Sequence, residues 1–206
     1  MPNEESTARG AMTAAVFIFL AVLLVCPGML LCVPSWSFRF FETGTIVLEN
    51  GDSVLVKGAS ALRKINLKTL PYPGFPTDMQ PPMCALLCVA NGTSVITEGV
   101  YDNRFKYVNE LRKMGAEVQV DGRVCVVEGG KRLSGAPVAA CDLRAGAAMV
   151  IAGMCAAGTT VVEDVRFIER GYENFVGKLN ALGADIRIVD EPEESNGREK
   201  ILSMMG

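Results

Sequence analysis

One acidic side chain in this chain is presented by a stiff piece of backbone. Pro71, Pro73 and Pro76 fix φ along Pro71-Tyr72-Pro73-Gly74-Phe75-Pro76 and bias the residues before them away from the helical region. Thr77-Asp78-Met79-Gln80 follows with the spacing of a capping box, so the pattern predicts an extended lead-in that ends at a helix start, with Asp78 in the first turn. A carboxylate held by such a lead-in can be aimed at a substrate. The simpler reading of the same residue is that it complements the helix dipole. Other chemistries have little support. The 206 residues contain no histidine, and the seven cysteines include no CxxC pair, so no metal site or disulfide framework is expected. Cys84 and Cys88, four apart in an apolar stretch, read as core thiols of a reducing cytosol. A net charge of −3 without a basic cluster argues against nucleic acid as a partner.

The elements that must position Asp78 are repeated. Residues 77–130 read as an apolar helix (83–90), a Gly92-Thr93 turn into a strand (94–98), Arg104, an amphipathic helix ending at Met114-Gly115-Ala116, and a hairpin through Asp121-Gly122. Residues 141–189 repeat that order: an apolar helix (145–156), Gly158-Thr159 and a strand (160–163), Arg170, a helix ending at Leu182-Gly183-Ala184, and a strand at 185–189. The stretch Ala147-Ala148-Met149-Val150-Ile151-Ala152 is apolar on every side and therefore predicts a buried helix. Residues 103–114 instead carry Phe105, Val108 and Leu111 on one face and Lys106, Asn109 and Arg112 on the other. Gly115 and Gly183 follow the last helical turns as left-handed caps. Each unit thus combines a core helix, a surface helix and short strands.

A third, earlier copy is half present. Residues 42–56 match the second half of a unit, with Asn50-Gly51 in place of Asp121-Gly122, and residues 10–15 resemble the start of a buried helix. Between them, residues 17–41 supply none of the expected turn, strand or amphipathic helix. No charge occurs between Arg9 and Arg39, and the apolar run at 11–33 is long enough to span a bilayer, since about 20 apolar residues suffice. It reads either as a membrane anchor or as a displaced first repeat. Glu4 and Glu5 against a single Arg9 give poor positive-inside support to the anchor.

The decapeptide 71–80, together with Val100, Asn103-Arg104-Phe105, Asp142-Leu143-Arg144 and Arg170-Gly171-Tyr172-Glu173, resembles the UDP-N-acetylglucosamine 1-carboxyvinyltransferases, the enolpyruvyl transferases that begin peptidoglycan synthesis. The similarity covers residues 42–189, with a short echo at 9–16. It implies an α/β fold, the inside-out α/β barrel of repeated helix-strand units. It also implies transfer of enolpyruvyl from phosphoenolpyruvate to the 3-hydroxyl of UDP-N-acetylglucosamine in the cytoplasm, without a cofactor. By resemblance, Asp78 contacts the sugar hydroxyl as candidate base and Val100 lines the nucleotide-sugar site. Arg170 engages phosphoenolpyruvate, and Arg104 and Arg144 are further active-site arginines, whose planar guanidinium groups suit carboxylate and phosphate. Asp142, at the helix start equivalent to Asp78, is either a substrate-site residue or a cap.

The resemblance also implies that the lid cysteine, a lysine-asparagine pair and further arginines belong to another domain, not contained in this sequence. The chain is then an incomplete fragment, inactive alone, for which a separately encoded amino-terminal domain is a candidate partner. Pro81-Pro82 departs from the family's usual Ala-Gln and predicts lost backbone donors and a bend in the helix that aims Asp78. The expected organisation is an atypical apolar segment at 1–41, the transferase repeats at 42–190 and a polar tail at 191–206. Two rival readings stand beside it. One is a shikimate-pathway-type enolpyruvyl transferase, and the other is a non-catalytic module anchored to a membrane through residues 11–33.

Overall fold

The computed structural model describes residues 39, 41–50, 53–59, 61–181, 183–190 and 200–205. The run at 11–33, and residues 17–41 apart from 39 and 41, lie outside the described residues. Among those described, no helix is long and apolar enough to cross a membrane.

A hairpin comes first, β1 (Ile46–Asn50) with β2 (Ser53–Lys57), registered from Ile46↔Lys57 to Asn50↔Ser53. Two units of one topology follow. In the first, β3 (Asn66–Lys68) leads through a 3-10 turn at Thr77–Met79 into α1 (Gln80–Val89) and then β4 (Gly92–Thr97). A second 3-10 turn at Arg104–Tyr107 enters α2 (Val108–Lys113), and the hairpin β5 (Glu117–Asp121) and β6 (Val124–Gly129) closes the unit. The second unit runs β7 (Pro137–Ala139), α3 (Leu143–Cys155), β8 (Thr159–Glu163), α4 (Arg166–Glu169), α5 (Phe175–Ala181), β9 (Ile186–Asp190) and β10 (Lys200–Met205). The sheets are ordered β3-β4-β6-β5 and β7-β8-β10-β9, each with one parallel pair and two antiparallel ones.

The registers align the units residue by residue. Asn66 pairs with Val95 as Pro137 pairs with Val161, so Thr69 corresponds to Ala140; both donate their N–H across the parallel pair, to Thr97 and Glu163. Each unit therefore begins one strand earlier than the apolar helix. Strands β3 and β7 are three residues long, too short for period-two alternation to show. The second unit also ends later than expected. Residues 200–205, assigned to a polar tail, form β10, whose Met204 is buried.

Helices α1 and α3 pack on each other with Met83, Leu87, Met149 and Val150 fully buried, and strands cover their outer sides, so apolar character all round has somewhere to go. The surface helices end alike. Gly115 and Gly183 have φ of 86° and 97°, and Ala116 N–H and Ala184 N–H reach back to the carbonyls of Leu111 and Leu179 at 3.1 Å. This six-to-one bond is the Schellman motif.

Three local expectations are corrected. The β5–β6 turn is Gly122-Arg123 rather than Asp121-Gly122, because Asp121 still pairs with Val124 and the positive φ of 53° falls on Gly122. The amphipathic stretch 103–114 breaks into a 3-10 turn and a short helix, since Phe105 leaves helical geometry (φ −88°, ψ 20°). Pro81 and Pro82 do not disrupt α1. They lie in its first turn, where N–H groups have no intrahelical acceptor to lose.

Candidate functional site

The two units place their helix starts side by side, and this brings together four charged residues. Asp78, in the 3-10 turn before α1, accepts from Arg104 at Oδ1 (3.2 Å) and from Arg144 at Oδ2 (3.0 Å). Arg104 also lies 4.0 Å from Asp142 Oδ2. Both arginine side chains are largely covered, 18% and 15% exposed, whereas Asp78 and Asp142 remain open at 44% and 40%. The acids thus face solvent from a floor of guanidinium groups. Arg144 is further fixed by the buried Tyr172, whose hydroxyl accepts from it at 2.8 Å. Arg104 stacks 5.8 Å from the Tyr101 ring centroid, and its buried Nε–H has no partner among the described residues.

Asp78 and Asp142 hold the same position in their units yet do different work. Asp142 is the N-cap of α3, its Oδ1 accepting from Arg144 N–H and Ala145 N–H, both at 2.8 Å. The expected capping box around Asp78 is absent. The N-cap there is Pro76, with no side-chain cap bond; Thr77 donates its hydroxyl to Glu98, and Gln80 accepts from Tyr107. The physical reason is the lead-in. The chain passes from Ala140 straight to Cys141-Asp142, but between Thr69 and Thr77 it inserts Leu70 to Pro76, a loop closed by Leu70 N–H to Phe75 O (3.0 Å) and Gly74 N–H to Pro71 O (2.8 Å). The insert delivers Asp78 one 3-10 turn ahead of α1, which leaves both its oxygens for the arginines. Asp78 thus keeps its place in the first turn of the 3-10 helix and adds an ion-pair role, and for Asp142 the cap and the charge cluster coexist.

Not every expected residue joins this cluster. Val100 is half-buried at the loop after β4, its N–H bonded to Glu98 Oε1 at 2.8 Å. Arg170 is exposed at the C-cap of α4, 5.6 Å from the Phe167 ring centroid, and among the described residues no hydrogen bond or ion pair joins it to Asp78 or Asp142. Two residues were not anticipated: Tyr172, as the support of Arg144, and Glu98, a carboxylate only 1% exposed. Tyr172 was visible within the Arg170-Gly171-Tyr172-Glu173 motif. For Glu98 the only available signal was its place at the end of an expected strand. Among the described residues there is also no group of histidine, cysteine and acidic side chains able to hold a metal.

The comparisons with known proteins agree on one group. The family model for EPSP synthase (3-phosphoshikimate 1-carboxyvinyltransferase) matches residues 42–179. The UDP-N-acetylglucosamine 1-carboxyvinyltransferase 3 of Caldanaerobacter subterraneus subsp. tengcongensis is 55% identical over 148 residues, 72% of this chain and 36% of that protein. The crystal structure of the enolpyruvyl transferase NikO from Streptomyces tendae superposes with a TM-score of 0.70 at 30% identity, covering 75% of this chain and 36% of that one. EPSP synthase from Acinetobacter baumannii shares the fold at 18% identity, with a TM-score of 0.57, covering 100% of this chain and 46% of that one. The expected inside-out α/β barrel is the fold of these structures. The chain spans about a third of the length of the curated relatives it matches.

Proposed function

Since the chain belongs to the EPSP synthase (3-phosphoshikimate 1-carboxyvinyltransferase) family, we propose that it supplies the carboxy-terminal part of an enolpyruvyl transferase that uses UDP-N-acetylglucosamine, in the first committed step of peptidoglycan synthesis. The observation that carries the reading is Asp78, held by Arg104 and Arg144 from two different units and open on its remaining side. High identity to relatives named for the amino-sugar reaction favours that substrate over shikimate 3-phosphate.

In the proposed reaction the 3-hydroxyl oxygen adds to C2 of phosphoenolpyruvate while the methylene carbon gains a proton. Loss of a proton from that carbon then expels phosphate and restores the double bond. Asp78 takes the hydroxyl proton. Arg104, Arg144 and Arg170 counter the carboxylate and phosphate charges, with Asp142 ordering Arg104. Val100 lines the sugar site. The acid that protonates the methylene carbon belongs to an amino-terminal domain outside these 206 residues, for which a separately encoded polypeptide is a candidate, so these residues are inactive alone, and the assembled enzyme works in the cytoplasm and serves cell-wall growth, cell shape and division.

The test is complementation. The purified chain alone should release no phosphate from phosphoenolpyruvate with UDP-N-acetylglucosamine, because losing a proton donor alone costs about 10²–10⁴-fold. Adding the amino-terminal domain of a relative as a separate polypeptide should restore turnover, and Asp78→Asn should then abolish it while the chain stays folded. Full turnover by the chain alone, or undiminished turnover with Asp78→Asn, would remove this reading. The rival anchored module predicts alkaline-resistant membrane association that is lost on deleting residues 11–33, and no restored turnover.

A further inference from the structure

Glu98 is almost completely buried, and among the described residues no lysine or arginine pairs with it. An unpaired carboxylate is expensive to bury unless hydrogen bonds replace its water. Here they do. Oε1 accepts from Thr69 Oγ1 (2.7 Å), Val100 N–H (2.8 Å) and Tyr101 N–H (3.1 Å), and Oε2 accepts from Thr77 Oγ1 (3.0 Å). Gly99 N–H donates to Thr69 Oγ1 at 2.8 Å, so that hydroxyl's own proton is directed to the carboxylate.

These bonds tie three separate segments: the end of β3, the turn before α1, and the loop after β4. Thr77 adjoins Asp78. Tyr101 lies three residues before Arg104 and under its guanidinium. Both partners of the 3.2 Å Asp78–Arg104 contact are therefore fastened to one carboxylate. The second unit offers an internal control. Asp164 stands where Glu98 stands in the first, but it adopts φ 59° and pairs with Arg166 at 2.7 Å; the neighbouring acid, Asp142, is held by its own helix instead. Only the unit whose acid has been released from capping carries the clamp.

We propose that Glu98 is a positioning residue that sets Asp78 against Arg104 by fixing Thr77 on one side and the Val100–Tyr101 backbone on the other. The functional consequence rests on the reading of Asp78 as the base, but the geometric claim does not. The test uses the full chain carrying Glu98→Gln, Thr77→Val or Thr77→Ser. An amide cannot accept from all four donors, valine lacks the hydroxyl, and serine keeps it. By NMR, Glu98→Gln should move the Val100 and Tyr101 amide signals upfield. Both Glu98→Gln and Thr77→Val should speed solvent exchange of the Arg104 Nη2–H that Asp78 accepts by about tenfold or more, with β5–β6 amides still protected and Thr77→Ser near wild type.

In the enzyme assembled with a separate amino-terminal domain, Thr77→Val should lower kcat/KM by about 10²-fold and Thr77→Ser should retain it. Unchanged Arg104 exchange in folded Glu98→Gln and Thr77→Val overturns the proposal. If Glu98→Gln does not fold, Thr77→Val decides alone. If Arg104 responds but the wild-type assembly shows no turnover, the functional reading falls and the positioning role stands.

Discussion

Replacing the two equivalent acids in turn should give opposite rescue patterns. Asp142 satisfies two backbone N–H groups of α3 at 2.8 Å, so Asp142→Ala removes an N-cap, worth about 1 kcal/mol. Asparagine caps as well as aspartate does, so Asp142→Asn should recover nearly all of that loss. Asp78 caps nothing. Its replacement by alanine removes two charge-assisted bonds, to Arg104 and Arg144. Because the Asp78 side chain is 44% exposed, solvent screening limits their combined worth to about 1 kcal/mol. The amide of Asp78→Asn lacks the charge and should recover little. Salt separates the two further: at about 1 M the Debye length is near 3 Å, so the Asp78→Ala deficit should shrink markedly while the Asp142→Ala deficit persists. Urea unfolding of the four variants of the full chain, at low and high salt, measures all of this. Full rescue by asparagine at both positions, or an equal response to salt, would refute the assignment of one acid to capping and the other to ion pairing.

Two further outcomes follow from packing and burial. A Cβ on Gly146 of α3 would sit 2.7 Å from Ile168 Cγ1 and 2.9 Å from Ala140 Cβ. The overpacking cost of about 1–3 kcal/mol should therefore exceed the gain of about 1 kcal/mol in helix propensity, and Gly146→Ala should lower the Tm; a raised Tm would refute the tight α3–α4 contact. Hydrogen bonding to Cys84, and then burial, hold the Cys88 and Cys125 thiols well above their ordinary range, and burial pushes Cys155 up to about 12. Folded pKa values raised above the unfolded value near 8.5 mean stability that is full below that pH and lost as pH rises toward the folded values. Unfolding free energy under reducing conditions should fall above about pH 8.5, by up to about 1.4 kcal/mol per pH unit for each thiol, with less from the part-exposed Cys155. A flat profile to about pH 10.5 would show that these thiols ionise freely in the fold.

Local chemistry along the chain was enough for the repeat. Apolar residues all round 147–152, glycines after the surface helices and turn residues within the hairpins act over a few positions, so they can be read without knowing what each segment packs against. The same holds for Asp78, whose proline-rich lead-in marks it as delivered to a helix start. Three-residue strands such as β3 and β7 carry no such signal, because they become strands only by pairing with β4 and β8. The partners in the site lay further out of reach. Asp78 meets Arg104 across 26 positions and Arg144 across 66, and Glu98 bonds Thr69 across 29 and Thr77 across 21. Nothing in the composition of the 71–80 run says that its threonine will abandon capping for a buried glutamate, or that Asp142, in the same place one unit later, will cap while Asp78 does not. Those choices belong to the tertiary structure, because hydrogen-bond partners of equal chemical merit compete for each carboxylate and only the packing of distant segments, within a unit and between units, brings one of them into hydrogen-bond distance.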